Sequence, residues 1–214
     1  MLEMAKHKIV ELKDQVRNPS RKTIVLDNGS VFGISEDVLL SKNIAVGDEI
    51  STEELNDIID KEDLSKAMNS AFTLLEYRMR SINELKDRLY QKGFARNKID
   101  TVIEKLINME YLDDKKFAYA FAKDKVKSRK IGPAMLRQEL IKHRLDNELI
   151  QETISRIYDE FPSGEMIGIL IEKKLQRLKK VTVEDINKLQ NYLARKGFNW
   201  DDINTKLSSL KAKL

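Results

Sequence analysis

Residues 81–106 read SINELKDRLYQKGFARNKIDTVIEKL, and this stretch predicts two helices joined by a tight turn. Ser81 and Glu84 have the spacing of a capping box, in which the hydroxyl accepts from the N–H three residues on and the carboxylate reaches back. Leu85 and Leu89 share one face of the helix so opened. Gly93 suits the left-handed position just past a helix end, and Phe94 can fold back over the last turn. Asn97 is placed to cap a second helix, whose Ile99, Val102, Ile103 and Leu106 form an i, i+3, i+4, i+7 stripe.

The pattern returns twice. Leu85, Leu89, Phe94, Ile99, Ile103 and Leu106 shifted by 51 residues become Leu136, Leu140, Leu145, Ile150, Ile154 and Ile157. Shifted by 104 they become Leu189, Leu193, Phe198, Ile203, Leu207 and Leu210. Every position stays apolar, and Lys92-Gly93-Phe94 recurs as Lys196-Gly197-Phe198. In the second copy Gly132-Pro133 puts proline in the first helical turn, and Asp146 or Asn147 can cap the following helix. In the third, Thr182–Asp185 opens the first helix and Asp201 is placed to cap the second.

A third helix precedes each pair, carrying Ala67, Ala71, Leu74 and Leu75, then Phe117, Ala118, Ala122 and Val126, then Ile167, Ile169, Leu170 and Ile171 at the head of a long basic helix. The small alanines let neighbouring helices approach closely. Three-helix units this short cannot bury their apolar faces alone, so they are expected to stack into an elongated curved array. Trp200 is expected to pack within the last unit.

Ahead of the repeats the pattern changes. Lys8–Leu12 alternates, Thr23–Leu26 is rich in β-branched residues, and Asn28-Gly29 offers the positive φ angles of a tight hairpin before Val31–Ile34. Ser35 and Ser51 can each start a helix, the latter through a capping box with Glu54. The fold class that follows is mainly α: three tandem three-helix repeats at residues 61–112, 113–161 and 162–214, behind a small α+β module at residues 1–60.

Composition removes several chemistries. With no cysteine there is no disulfide, thiolate metal site or cysteine nucleophile, and two histidines far apart leave little for metal sites or triads. Neither standard phosphate-binding glycine loop occurs. Tyr111-Leu112-Asp113-Asp114 pairs two acids, but these read as a helix start, with Asp113 as cap, Asp114 at the positive end, and Tyr111 and Leu112 packing below. No apolar run reaches membrane-spanning length and the start lacks a signal-peptide pattern, so a cytoplasmic protein without cofactor is expected.

Charge is uneven. Residues 1–60 carry 7 basic and 12 acidic side chains, whereas the remainder carries 32 and 23. An acidic head thus precedes a basic body suited to a polyanionic partner.

In combination, Arg80-Ser81 with Glu84-Leu85 and Leu89, Lys92-Gly93-Phe94, Tyr111–Asp114, Phe117-Ala118, Gly132-Pro133 with Leu136, and Glu139-Leu140 resemble the RecX family of RecA regulators. Two positions depart from the family pattern: Glu110 stands where glycine is usual, and His143-Arg144 replaces Lys-Gly.

The resemblance implies a non-enzymatic, monomeric protein that binds the RecA filament on DNA, lies in its groove, and suppresses ATP hydrolysis and strand exchange in DNA repair, recombination and the SOS response. The filament- or DNA-binding basic face would come from three clusters. The first holds Arg78, Arg80, Lys86 and Arg88, with Lys92 beside them. The second holds Lys125, Lys127, Arg129, Lys130, Arg137, Lys142 and Arg144, and the segment Lys123–Arg144 carries 8 basic residues against 2 acidic ones. The third holds Lys173, Lys174, Arg177, Lys179 and Lys180. Direct DNA binding by a helical repeat is the alternative; a general protein-interaction scaffold is a further one.

Overall fold

The computed structural model describes residues 6–16, 20–176, 178 and 181–211, with side chains at the carboxyl-terminal end described through Ser208. These residues fall into two compact units. One comprises the chain up to Arg78 with Lys86–Met109; the other comprises Met79–Leu85 with the chain from Glu110 onward.

In the first unit, strands β1 (Lys6–Asp14), β2 (Arg21–Leu26), β3 (Val31–Ser35) and β4 (Glu49–Ser51) form an antiparallel sheet in the order β3-β2-β1-β4. β4 was not legible in the sequence, because three residues are too few to show an alternation. The β2–β3 hairpin also differs from the expected turn: Gly29 has φ +81° while Asn28 has no positive φ. Asn28 instead uses its side-chain oxygen to accept from the Ser30 N–H at 2.9 Å.

Ile9, Ile24, Leu26, Ile34 and Ile50 bury one sheet face with Val38 of α1 (Glu36–Ser41) and Ile58 of α2 (Thr52–Tyr77). The capping box at the start of α2 is present, Ser51 accepting from the Glu54 N–H while Glu54 reaches back. α2 also buries Glu62, whose carboxylate lies 2.5 Å from Arg21 of β2 and accepts from the Ser35 N–H at 2.6 Å. A buried ion pair of this kind locks helix to sheet, because a carboxylate stripped of its partners in the interior would be strongly unfavourable. Further along, Ala67 and Ala71 are fully buried, and α2 packs on α4 (Arg96–Asn108). Ala95, not Asn97, is the N-cap of α4, and the Asn97 side-chain oxygen accepts from the adjacent Lys98 N–H.

α3 (Ile82–Gln91) begins in the second unit and ends in the first. The second unit continues with α5 (Asp114–Arg129), α6 (Pro133–Ile141), α7 (Asn147–Glu160), α8 (Ser163–Leu175), α9 (Val183–Arg195) and α10 (Trp200–Lys211). α5 and α6 pack on α7, and α10 packs on α8 and α9. The three helix triplets are therefore α2–α4, α5–α7 and α8–α10. All described members of the repeated apolar set are buried or, at Phe94 and Ile154, partly buried. Leu210 lies outside the described side chains.

Asp113, Asp146 and Thr182 cap α5, α7 and α9 as their positions predict. α10 is capped by Asn199, which accepts from the Asp202 N–H at 2.7 Å, so Asp201 is one residue inside the helix rather than its cap. Two aromatics depart from expectation: Tyr111 is 58% exposed and Trp200 is 53% exposed, so neither is core.

Candidate functional site

Within the second unit, neighbouring repeats meet through one recurring joint. Position 81 corresponds to 132 and position 83 to 134 under the first repeat offset. At one joint Ser81 Oγ donates to the His143 carbonyl at 2.9 Å and Asn83 Nδ2 donates to the Arg144 carbonyl at 2.8 Å. At the next, the Gly132 N–H donates to the Lys196 carbonyl at 2.7 Å and the Ala134 N–H donates to the Gly197 carbonyl at 3.1 Å. The start of a middle helix thus seats on the turn that ends the middle helix of the following repeat.

The second joint has no room for side chains. A Cβ on Gly132 would lie 2.4 Å from Gly197 backbone atoms, and one on Gly197 would lie 2.4 Å from the Met135 nitrogen. Ser81 fits at the first joint because its hydroxyl is itself the connecting donor. Asp114 adds a further tie, its Oδ1 accepting from the Ile82 N–H at 2.8 Å. Burial raises the Asp114 carboxyl above the usual range, against the pull of that hydrogen bond. Asp113 and Asp114 therefore serve separate backbone contacts, and among the described residues no group of three or more acidic or histidine side chains could hold a metal ion.

Beside the second joint is a cavity of about 730 Å³. α5 ends there, with Lys130 in the left-handed region (φ 47°) as its C-cap. Arg129, Lys130, Lys173, Lys174 and Lys196 line the cavity with Tyr192 and the apolar Ile131, Met135, Ile169 and Leu170. Lys196 Nζ donates to the Arg129 carbonyl. Lys174 and Lys196 place their ammonium groups 4.7 and 5.7 Å from the centre of the Tyr192 ring, within cation–π range. Burial, and after it the charges of Lys130, Lys173 and Arg129, hold Lys196 below the usual lysine range. Among the described residues none of the five cations has a carboxylate at ion-pair distance.

The remaining basic residues separate by partner. Arg80 is only 8% exposed and lies 2.5 Å from Glu84, so its charge is taken up inside the fold rather than on an outer face. Lys86 pairs with Asp100 at 2.8 Å and Lys142 with Glu139 at 2.7 Å. Lys125 lies 4.9 Å from the Phe121 ring centre and Lys127 5.2 Å from that of Phe161. Arg78, Arg88, Lys92 and Arg144 are exposed, and Arg137 is half-buried. Arg177, Lys179 and Lys180 lie outside the described residues.

Sequence reasoning missed Lys196 and Tyr192 as members of this site. Their i, i+4 spacing, from Tyr192 in α9 to Lys196 capping its end, was the available signal. Ile169, 48% exposed among buried neighbours, also lines the cavity, which only the structure shows.

Models of the first, second and third three-helix domains of RecX match residues 67–106, 113–154 and 165–207. The regulatory protein RecX of Clostridium botulinum is 32% identical over 92% of this chain and 92% of its own length. That of Bacillus velezensis is 35% identical over 93% of this chain and 76% of its own. A crystal structure of a regulatory protein RecX superimposes with TM-score 0.74 at 21% identity, covering 94% of this chain and 99% of the other. RecX from Lactobacillus salivarius gives TM-score 0.65 at 26% identity, over 71% of this chain and 99% of the other. Mainly helical, with three tandem three-helix domains behind a small antiparallel sheet, this chain belongs to the RecX family of regulatory proteins.

Proposed function

We propose that the protein is a non-enzymatic regulator that binds the RecA filament on DNA and restrains its ATP hydrolysis, strand exchange and growth. Family membership carries the reading. It is supported by the exposed cations of the second and third repeats, which suit an acidic protein surface or the DNA held within a filament. Work in the cytoplasm as a monomer, in DNA repair, recombination and the SOS response, belongs to the same proposal.

Restraint by binding requires tighter association with one filament state than with another, since a ligand with equal affinity for both shifts nothing. Lys125, Lys127, Arg129 and Lys130 lie around the end of α5, where charge reversal disturbs little of the core.

The test is RecA ATP hydrolysis on single-stranded DNA, titrated with this protein at two salt concentrations. The variant Lys125→Glu, Lys127→Glu, Arg129→Glu, Lys130→Glu is expected to raise the half-inhibitory concentration about tenfold or more. Undiminished inhibition by the folded variant would remove this cluster from the mechanism. Direct binding to free DNA is the second reading, favoured by the cations without carboxylate partners. Affinity for DNA without RecA, falling steeply with salt as counterions are released, would favour it.

A further inference from the structure

The cavity beside the second joint is built for more than a place on a basic face. Five cations line it, and among the described residues none of them has a carboxylate at ion-pair distance, though the charge of Arg129 reaches Glu139. The carboxyl-terminal ends of α5 and α9 face this region and bring about half a negative charge each. Burial, and after it the charges of Lys130, Lys173 and Arg129, hold Lys196 below its usual range.

An extended nucleic-acid strand answers such crowding poorly, since each phosphodiester carries a single charge. A compact polyphosphate answers it well, because its terminal phosphate alone carries about −1.5 to −2 at neutral pH. The volume of about 730 Å³ falls in the range of small-molecule sites. The walls are of two kinds: lysines and Arg129 for phosphates, and Tyr192 with Ile169 for a flat apolar group.

We propose that this cavity binds a nucleoside triphosphate, with the phosphates among Arg129, Lys130, Lys173 and Lys196 and the base against Tyr192. The assignment shares Arg129 and Lys130 with the filament reading, but its test uses the isolated chain without RecA or DNA, so either reading can fail alone. The cavity on the first unit lined by Lys86, Asp87, Tyr90, Arg96 and Asp100 mixes both signs of charge and lacks this preference.

Isothermal titration calorimetry on the full chain at low salt tests it, with ATP, ADP, AMP, inorganic tripolyphosphate and an oligo-dT of about eight nucleotides. Affinity is expected to fall from ATP through ADP to AMP, by about tenfold or more overall. Lys130→Ala with Lys173→Ala should weaken ATP about tenfold, whereas Lys105→Ala on α4 should leave it unchanged. Tyr192→Leu should weaken ATP while leaving tripolyphosphate within about twofold, because only the base loses its stacking surface. Circular dichroism establishes that each variant is folded. Equal affinity for ATP and AMP, no heat with ATP at millimolar concentration, or tighter binding of oligo-dT than of ATP would overturn the proposal. Equal loss of ATP and tripolyphosphate in Tyr192→Leu would overturn the placement of the base.

Discussion

Gly132→Ala is the most direct probe of the joint between the second and third repeats. Gly132 has φ −89° and ψ 173°, which alanine adopts freely, so the substitution adds no backbone strain. Its added carbon would lie 2.4 Å from Gly197 and Phe198 backbone atoms, where no flexible side-chain end can yield. Either the helix start shifts, at about 1–3 kcal/mol for overpacking, or the two hydrogen bonds from the Gly132 and Ala134 N–H groups lengthen, at about 1 kcal/mol each. The expected destabilisation is about 1–3 kcal/mol. With a urea dependence of about 2 kcal/mol per molar, the midpoint should fall about 0.5–1.5 M. Trp200 is the single tryptophan and begins α10, just beyond the joint, so its fluorescence reports the transition. Gly168→Ala is the matched control: the residue is inside α8 with nothing within 4 Å of the added carbon, and should gain about 0.5–1 kcal/mol. A Gly132→Ala midpoint at or above that of the parent protein would refute the reasoning that backbone-to-backbone approach defines this joint.

Arg144→Gly should raise stability by about 1 kcal/mol, measured as a higher thermal midpoint, because Arg144 stands at φ 52° with a side chain that disfavours it. Asp114 separates two effects. Its raised folded-state carboxyl pKa means that the ionised form opposes folding at neutral pH, and this penalty is relieved as pH falls through the raised value. Asp114→Asn keeps an acceptor for the Ile82 N–H and should hold or gain stability at pH 7 while losing that pH dependence; Asp114→Ala should lose about 1–2 kcal/mol in urea denaturation. Glu62→Gln leaves Arg21 without its counter-charge and should destabilise the sheet-bearing unit by about 2–3 kcal/mol, read by circular dichroism in urea.

The departures at Glu110 and His143-Arg144 show what a single chain reveals. Both were visible as positions where glycine is usual, and both prove to hold non-glycine residues in the left-handed region, Glu110 at φ 60° and Arg144 at φ 52°. The turn geometry survives because the apolar set on either side, Leu140 and Leu145 among it, buries regardless. His143 is accommodated differently from a lysine, its ring edge-on to Phe117 and Phe121 at 5.1 and 4.5 Å. Capping residues were readable where side chain and backbone lie within three residues, as at Ser51 and Thr182. They were misplaced by two residues at Asn97, where the cap is Ala95 and its side chain gives no polar signal, and at Asp201, where Asn199 takes the role.

Helix positions, the threefold period and the core stripe were all legible because they rest on local spacing and on burial of one face, which a linear pattern records. The burial of Arg80, the Glu62–Arg21 pair, the close approach of Gly132 to Gly197, and the gathering of Arg129, Lys130, Lys173, Lys174 and Lys196 around one cavity were settled only in the folded chain. These depend on residues distant in sequence meeting at particular orientations, and the free energy of a charge or a glycine there is set by what stands opposite it. A lysine on a solvated helix and a lysine in a cationic cavity look alike in the linear chain; packing makes them different.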